Sequence, residues 1–384
     1  MKIAVLPLRK GSKGIPGKNK KKMLGRPLFS WTIGAAIFSN LDAIYVYTDD
    51  EEIITYIEKE YGWCAKVKAV PREASTAIDT SSTEEAMLAF TSQLKENYSV
   101  LCLLQATSPM TTSEDINAVL EKIDYQYDSA LTVVKTHRFT WNADGTPQNY
   151  DPFNRPRRQD FEGLLVENGA VYATTKTAFL QSKNRVSGIV GLVEMDEASY
   201  TEIDSLTDWD IVEQLLASRF QKAKVQSKIQ YLVLDVDGVF TDGSVFFGAE
   251  GEMMKRFDMR DGMGLEILRQ NNVEIVVMTS ENSVLVGQRM KKLQIESVFL
   301  GVKDKYAFLT QFLEVRKASF ADVAYVGDDV NDLANICSVG WSFCPADGTE
   351  VVKRHADYVL TQNSAAGAIR EACEIIMKYN KRYE

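Results

Sequence analysis

Residues 231–241 read YLVLDVDGVFT, and this stretch decides how the chain divides. Tyr231–Leu234 is a short apolar run, the pattern of a strand buried on both faces. Asp235 and Asp237 follow at i and i+2 just past the strand end, where they point the same way and can share one divalent cation. One carboxylate can attack phosphorus while the other protonates a departing alcohol, the covalent route of aspartyl-phosphate chemistry. A solitary D-x-D-G string also fits a tight turn or a calcium loop.

Immediately upstream, Leu216–Lys228 (LASRFQKAKVQSK) is polar and basic and ends a helix. We therefore expect a boundary near residue 225, with one domain over 1–222 and another over 228–384; 384 residues is long for one hydrophobic core. Neither a low-complexity linker nor an internal repeat is visible. Downstream, Ile275–Thr279 and Val323–Gly327 read as further strands. In the first half, Ile3–Leu8, Ala43–Thr48, Val100–Gln105 and Ala130–Val134 read as strands, with Leu28–Ser39 and Glu51–Tyr61 helical between them. Short apolar runs alternating with helical periods specify an α/β fold in both halves.

A net charge of −9 argues against non-specific nucleic-acid binding, which needs a basic surface to release counterions. The five cysteines are scattered without a C-x-x-C pair, which points to neither a disulfide framework nor a zinc site and fits a reducing, cytoplasmic setting. The apolar run at the N-terminus is too short for a signal h-region or a membrane span, so we expect no membrane partner.

The first strand is followed by Arg9-Lys-Gly-Ser-Lys-Gly-Ile-Pro-Gly-Lys-Asn19. Its glycines let backbone N–H groups approach an anion, and Arg9, Lys13 and Lys18 supply charge for a triphosphate. The spacing fits neither the G-x-x-x-x-G-K-[ST] loop nor G-x-G-x-x-G, and glycine and lysine content alone also suits a basic surface loop.

The string resembles the fingerprint of acylneuraminate (sialic acid) cytidylyltransferases. Further blocks match in order: Thr48-Asp-Asp50, Arg72 with Asp79-Thr80, Leu104-Gln-Ala-Thr-Ser-Pro109, Arg158-Gln-Asp160, Glu167-Asn-Gly-Ala-Val-Tyr172 and Glu202-Ile-Asp204. The resemblance covers residues 1–215 and implies a nucleotide-diphospho-sugar transferase fold with a Rossmann-like mixed sheet. It implies that CTP and a nonulosonic acid are joined to a CMP-sugar, with Mg²⁺ as cofactor. It assigns Arg9, Ser12, Lys13, Lys18 and Asn19 to the triphosphate, Arg9 and Lys18 as catalytic, and Arg72, Asp79, Thr80, Ser81 and Thr83 to cytosine and ribose. Gln105, Ser108, Gln159, Glu167 and Asn168 would meet the sugar, and Arg158 its carboxylate, with Arg155 and Arg157 as rivals. Glu202 and Asp204 would hold the metal, or else cap the helix beginning near Ser205. The chain departs from the pattern twice: Glu202 stands where D-x-D is usual, and Thr111 stands where Arg often follows the proline.

The second half resembles the haloacid dehalogenase superfamily, whose four ordered motifs sit at strand ends. Besides Asp235 and Asp237 these are Thr279, Lys305 in Gly301-Val-Lys-Asp-Lys305, and Asp328 in Gly327-Asp-Asp-Val-Asn-Asp332. By that resemblance Asp235 is the nucleophile, Asp237 the acid, and Thr279 and Lys305 bind the phosphoryl group. Asp235, Asp328 and the Asp237 carbonyl would hold Mg²⁺, with Asp329 and Asp332 orienting that shell or Lys305. The gap from Asp237 to Thr279 leaves room for a hairpin flap near Ser244–Phe257 and no large cap. Residues 239–266 resemble the capless branch acting on 3-deoxy-octulosonate 8-phosphate and nonulosonate 9-phosphates, in which four subunits close one another's sites. That implies a homotetramer through this domain, with dimer contacts through the first. Val245, Phe246, Phe247, Met253 and Met254 suit such burial. Arg260 either meets the substrate's anion or pairs with Asp261. The two resemblances together describe a bifunctional enzyme acting on N-acetylneuraminate, KDN, legionaminate or pseudaminate. An active transferase with a purely oligomerising second domain, or a nucleotide-sensing scaffold, are the other readings.

Overall fold

The computed structural model describes every residue except Ser12, Lys13, Asp79, Glu250 and Glu384. The chain forms two compact units, one of residues 1–21 and 27–215, the other of residues 22–26 and 216–384.

The first unit is built on a seven-stranded sheet: β1 (Lys2–Leu8), β2 (Ala43–Thr48), β3 (Val67–Pro71), β4 (Val100–Leu104), β5 (Ser129–Thr136), β6 (Leu164–Thr175) and β7 (Val190–Met195). The order is β3-β2-β1-β4-β6-β5-β7. Most pairs are parallel, but β6 runs antiparallel to both β4 and β5, so the sheet is mixed as expected. Ile3–Leu6 and Leu101–Leu104 are fully buried, which explains why both strands read as unbroken apolar runs. Strand β1 has β2 on one side and β4 on the other. Successive connections therefore leave in opposite directions, and a crevice opens beyond the carboxyl ends of β1 and β4.

The second unit has a six-stranded, wholly parallel sheet. Its strands are β8 (Tyr231–Leu234), β11 (Glu274–Met278), β12 (Ser297–Phe299), β13 (Val323–Val326), β14 (Trp341–Cys344) and β15 (Tyr358–Val359), in the order β12-β11-β8-β13-β14-β15. The predicted flap is the separate antiparallel hairpin β9 (Val245–Gly248) and β10 (Gly251–Lys255). It leaves Phe246, Phe247, Met253 and Met254 exposed. Central β8, between β11 and β13, is buried on both faces. The sequence reading overran several strand ends by one residue, and the overrun residues are informative: Gln105, Thr279 and Gly327 are the first residues beyond their strands.

Candidate active sites

In the first unit, Pro7, Leu8, Arg9, Lys18, Asn19 and Arg72 line a cleft of about 300 Å³ together with Ser81, Thr83 and Gln105. Seven residues of the expected nucleotide and sugar sets thus share one hollow, at the crevice the strand order creates. Ser12, Lys13 and Asp79 lie outside the described residues. Asn19 Nδ2 donates to Arg9 O at 3.1 Å and so ties the two ends of the loop together. Lys18 Nζ donates to Ile203 O at 2.7 Å and meets Asp204 Oδ1 at 3.3 Å, which brings the Glu202–Asp204 acids beside the loop. Burial, reinforced by Asp204, raises Glu202 above the usual carboxylate range. Neither acid caps the following helix, Leu206–Ala223: Ser205 Oγ accepts from Asp208 N, and Asp208 Oδ2 accepts from Ser205 N. Arg72 bonds the Oγ1 and carbonyl of Thr76, and burial lowers its guanidinium from the usual value. The Ser82–Glu85 capping box fixes the start of the helix Thr83–Gln93 at the rim.

The expected sugar contacts do not all converge. Gln105 lies in the cleft and donates to Gly169 O at 2.6 Å. Ser108 Oγ is buried and has no hydrogen-bond partner among the described residues. Asn168 is 1% exposed, and its amide is engaged by Thr132 Oγ1 at 2.8 Å and Ser199 Oγ at 3.1 Å. Glu167 accepts from the Tyr172 hydroxyl at 2.9 Å. Arg158 and Gln159 instead line a separate depression with Lys135, His137 and Glu194, where Arg158 lies 3.9 Å from Glu197. Of its rivals, Arg155 stacks on Phe139 and Arg157 pairs with Asp160 at 2.8 Å.

In the second unit the motif residues converge at the ends of adjacent strands. Asp235, Thr279 and Gly327–Asp328 leave β8, β11 and β13, and Lys305 opens the helix Lys305–Arg316. Lys305 is 1% exposed, with Nζ 2.7 Å from Asp235 Oδ2 and 2.8 Å from Asp332 Oδ1. Asp332 also accepts from the Tyr325 hydroxyl at 2.7 Å and from Asp328 N at 3.2 Å. Asp332 is therefore the residue that orients Lys305, whereas Asp329 accepts from Val330 N and caps the short turn after it. Carboxylate oxygens of Asp235, Asp328 and Asp332 lie within 4.8 Å of one another. Gly238 is at φ +84, and a Cβ there would fall 2.0 Å from Asp328 Oδ2, so only glycine lets the D-x-D turn lie against that carboxylate. Asp328 Oδ1 is buried with no hydrogen-bond partner among the described residues. An all-oxygen donor set with an orphaned carboxylate oxygen fits a hard divalent cation.

The electrostatics agree. Burial pushes Asp328 up to about 8, with Asp332 and Asp235 adding to the effect. Burial pushes Asp235 up to about 7 against the pull of Lys305. Burial alone would lower Lys305, but Asp235 and Asp332 reverse this and hold it above its usual range.

Two residues were missed. Lys255, on β10, has a buried side chain that reaches Asp237 Oδ1 at 2.7 Å; no spacing rule connects a hairpin lysine to a D-x-D turn. Tyr325 reads in sequence as one more residue of an apolar strand. Arg260 does not pair with Asp261: it bonds Asp258 at 2.7 Å and Ala366 O at 2.8 Å, while Asp261 accepts from Arg370 N.

A strand-end cleft lined with cations, and a strand-end cluster of aspartates around a buried lysine, define a nucleotidyltransferase joined to a hydrolase. Residues 3–178 match the family described as cytidylyltransferase, and residues 294–372 match haloacid dehalogenase-like hydrolase. N-acylneuraminate cytidylyltransferase A of Danio rerio is 32% identical over 391 residues, covering 99% of this chain and 89% of its own length. A 3-deoxy-D-manno-octulosonate 8-phosphate phosphatase of Salmonella typhi is 36% identical over 149 residues, 39% of this chain and 79% of its own. A solved structure of the Moraxella catarrhalis phosphatase of that name is 29% identical over 44% of this chain and 93% of its own, with a TM-score of 0.39. The chain belongs to the N-acylneuraminate cytidylyltransferase family.

Proton linkage at the second site predicts a pH signature. Folded and free of metal, Asp328 keeps its proton up to about pH 8, whereas the unfolded chain releases it near pH 4. Stability in chelator therefore falls as pH rises between those values. A divalent cation must displace that proton, so the Tm increase it confers should be larger at about pH 8.5 than at about pH 6. Thermal unfolding with and without the cation checks this, and a gain that shrinks at higher pH would contradict the site.

Proposed function

We propose that the chain makes a CMP-activated nonulosonic acid in two consecutive steps. The second unit hydrolyses the sugar 9-phosphate and the first joins the freed acid to CTP. The observation that carries the reading is the convergence of Asp235, Asp328, Asp332 and Lys305 in a chain whose other unit places Arg9, Lys18, Asn19 and Arg72 around one cleft.

In the hydrolase, an Asp235 carboxylate oxygen attacks phosphorus as the P–O bond to the sugar breaks, and Asp237 protonates the departing C9 oxygen. Water then cleaves the aspartyl-phosphate, releasing inorganic phosphate and restoring Asp235. Thr279 and Lys305 offset charge on the phosphoryl oxygens. Mg²⁺ held by Asp235, Asp328 and the Asp237 carbonyl would supply further positive charge there. In the transferase, the anomeric hydroxyl attacks the α-phosphate and pyrophosphate leaves. Arg9, Lys18 and Asn19 hold the triphosphate, and Glu202 and Asp204, the latter 3.3 Å from Lys18, would hold Mg²⁺ to offset its charge. The unit of residues 1–21 and 27–215 carries the transfer, and the unit of residues 22–26 and 216–384 the hydrolysis.

Free sulfhydryls at all five cysteines fit a cytoplasmic enzyme, and among the described residues no helix is long and apolar enough to cross a membrane. The apolar side chains exposed on the β9–β10 hairpin suit assembly into a homotetramer.

Asp235→Asn should abolish phosphate release from nonulosonate 9-phosphates in the full-length protein while CMP-sugar formation from CTP and the free acid persists. Wild type and variant equally inert across a panel of 9-phosphates would overturn the hydrolase assignment and favour a purely oligomerising second unit. The assembly itself has a separate check. Phe247→Ser with Met254→Ser should shift the light-scattering mass below that of the wild-type oligomer; an unchanged mass would remove the hairpin from the interface.

A further inference from the structure

Five residues of the N-terminal sequence belong to the second unit. Lys22–Arg26 groups with residues 216–384, although the chain on either side of it belongs to the first unit. Arg26 is 2% exposed and Asp304 3% exposed. Between them run two parallel hydrogen bonds, Nε to Oδ1 at 2.8 Å and Nη2 to Oδ2 at 2.9 Å, the fork geometry available to arginine alone. The guanidinium also lies 4.8 Å from the centre of the Tyr306 ring. Asp304 in turn caps the helix that begins at Lys305, accepting from Ala307 N at 3.2 Å. The residue before Arg26 makes a second contact. Gly25 sits at φ +82, and a Cβ there would fall 1.9 Å from Val330 O and 3.0 Å from Asn331 Cα. The Val330–Asp332 turn ends on Asp332, the other carboxylate bonded to Lys305.

We propose that the Lys22–Arg26 arm is part of the hydrolase and that Arg26 is a positioning residue, setting Lys305 against Asp235 and Asp332. This rests on the phosphatase reading above. Two elements must meet for Lys305 to bridge its partners: the cap of its helix and the turn that carries Asp332. The arm touches both at once, Arg26 on the first and Gly25 on the second. The bond to Asp304 is buried, so loosening it lets the helix start, and with it the ammonium, drift from the place where the phosphoryl charge develops. A misplacement of about 1 Å costs on the order of 100-fold in rate.

The test uses full-length protein and measures phosphate release from a nonulosonate 9-phosphate, with CMP-sugar formation as the folding control. Arg26→Met should lower kcat by about 100-fold with KM changed by less than about threefold, while CMP-sugar formation is retained. Arg26→Lys keeps the charge without the fork and should recover part of that loss. Because Arg26→Met leaves the Asp304 charge buried, the double variant Arg26→Met with Asp304→Asn removes both charges and should fold with kcat still depressed. Hydrogen exchange supplies a readout independent of turnover: amides of Lys305–Ala307 and Val330–Asp332 should lose protection in the double variant, and those of β8 should not. Phosphate release unchanged in all three variants, or exchange unchanged at both segments, would overturn the role of the arm. If wild type releases no phosphate, the phosphatase reading fails, and the exchange result alone decides the proposal.

Discussion

A lysine ammonium taken out of water must be matched by carboxylates at hydrogen-bond distance, because an isolated buried charge costs several kcal/mol. Lys305 meets that requirement with Asp235 and Asp332, and the demand propagates outward through the second unit. Asp235 must leave the central strand β8, Asp332 must end the turn after β13, and Lys305 must open a helix aimed at both. Burial raises Asp328 and Asp235, and neighbouring carboxylates add to it because three negative groups around one positive group leave net negative charge. When all three carboxylates are ionised, a divalent cation alone would balance that cluster, and a phosphoryl dianion would then be met by the cation and Lys305. The arrangement therefore favours a cation first of all, with phosphate following it.

How much of this was legible in the sequence follows from where each residue sits relative to a strand. Asp235, Thr279 and Asp328 were legible because a parallel strand reads as an apolar run and the polar residues after it fall at the sheet's edge, where such folds place chemistry, whereas Lys305, which opens a helix, was found through the family motif. The same logic located Arg9, Gln105 and the loop through Asn19. Lys255 and Tyr325 escaped because their roles depend on what folds back onto them. A lysine in a short exposed hairpin and a tyrosine in an apolar strand carry no periodic signature of their partners. The Arg26–Asp304 pair was illegible for a stronger reason: 278 residues separate its members.

The less legible part of the first unit is its sugar side. Asn168 lies inside a strongly patterned strand, yet its amide is engaged by Thr132 and Ser199 within the fold. Arg158 stands on an exposed turn beside Glu197, in a depression separate from the one that holds Gln105. Strand ends reveal themselves through hydrophobic contrast, whereas a loop of mixed polar residues such as 137–161 offers none, so which of Arg155, Arg157 and Arg158 faces a ligand cannot be read from pattern. In the structure, Arg155 is committed to an aromatic stack and Arg157 to Asp160. Arg158 has only a 3.9 Å ion contact with Glu197, longer than the 2.8 Å pair that Arg157 makes with Asp160.

On the proposed reading, the two sites handle phosphate charge with opposite devices, and the difference follows from what each must admit. A nucleoside triphosphate is long, and its pyrophosphate must leave after reaction, so the first unit presents cations from a loop open to the cleft, anchored at Asn19 and Lys18. A single phosphoryl group is small and reacts at one fixed point, so the second unit buries its cation completely and fixes it from two sides. An open loop tolerates adjustment in its neighbours. A buried ammonium does not, because drift away from Asp235 or Asp332 leaves charge unmatched in a dry interior. The second site therefore needs rigid outer support more than the first. A buried arginine fork on the cap of the Lys305 helix, and a glycine pressed against the Asp332 turn, supply it at the two places where such drift would begin.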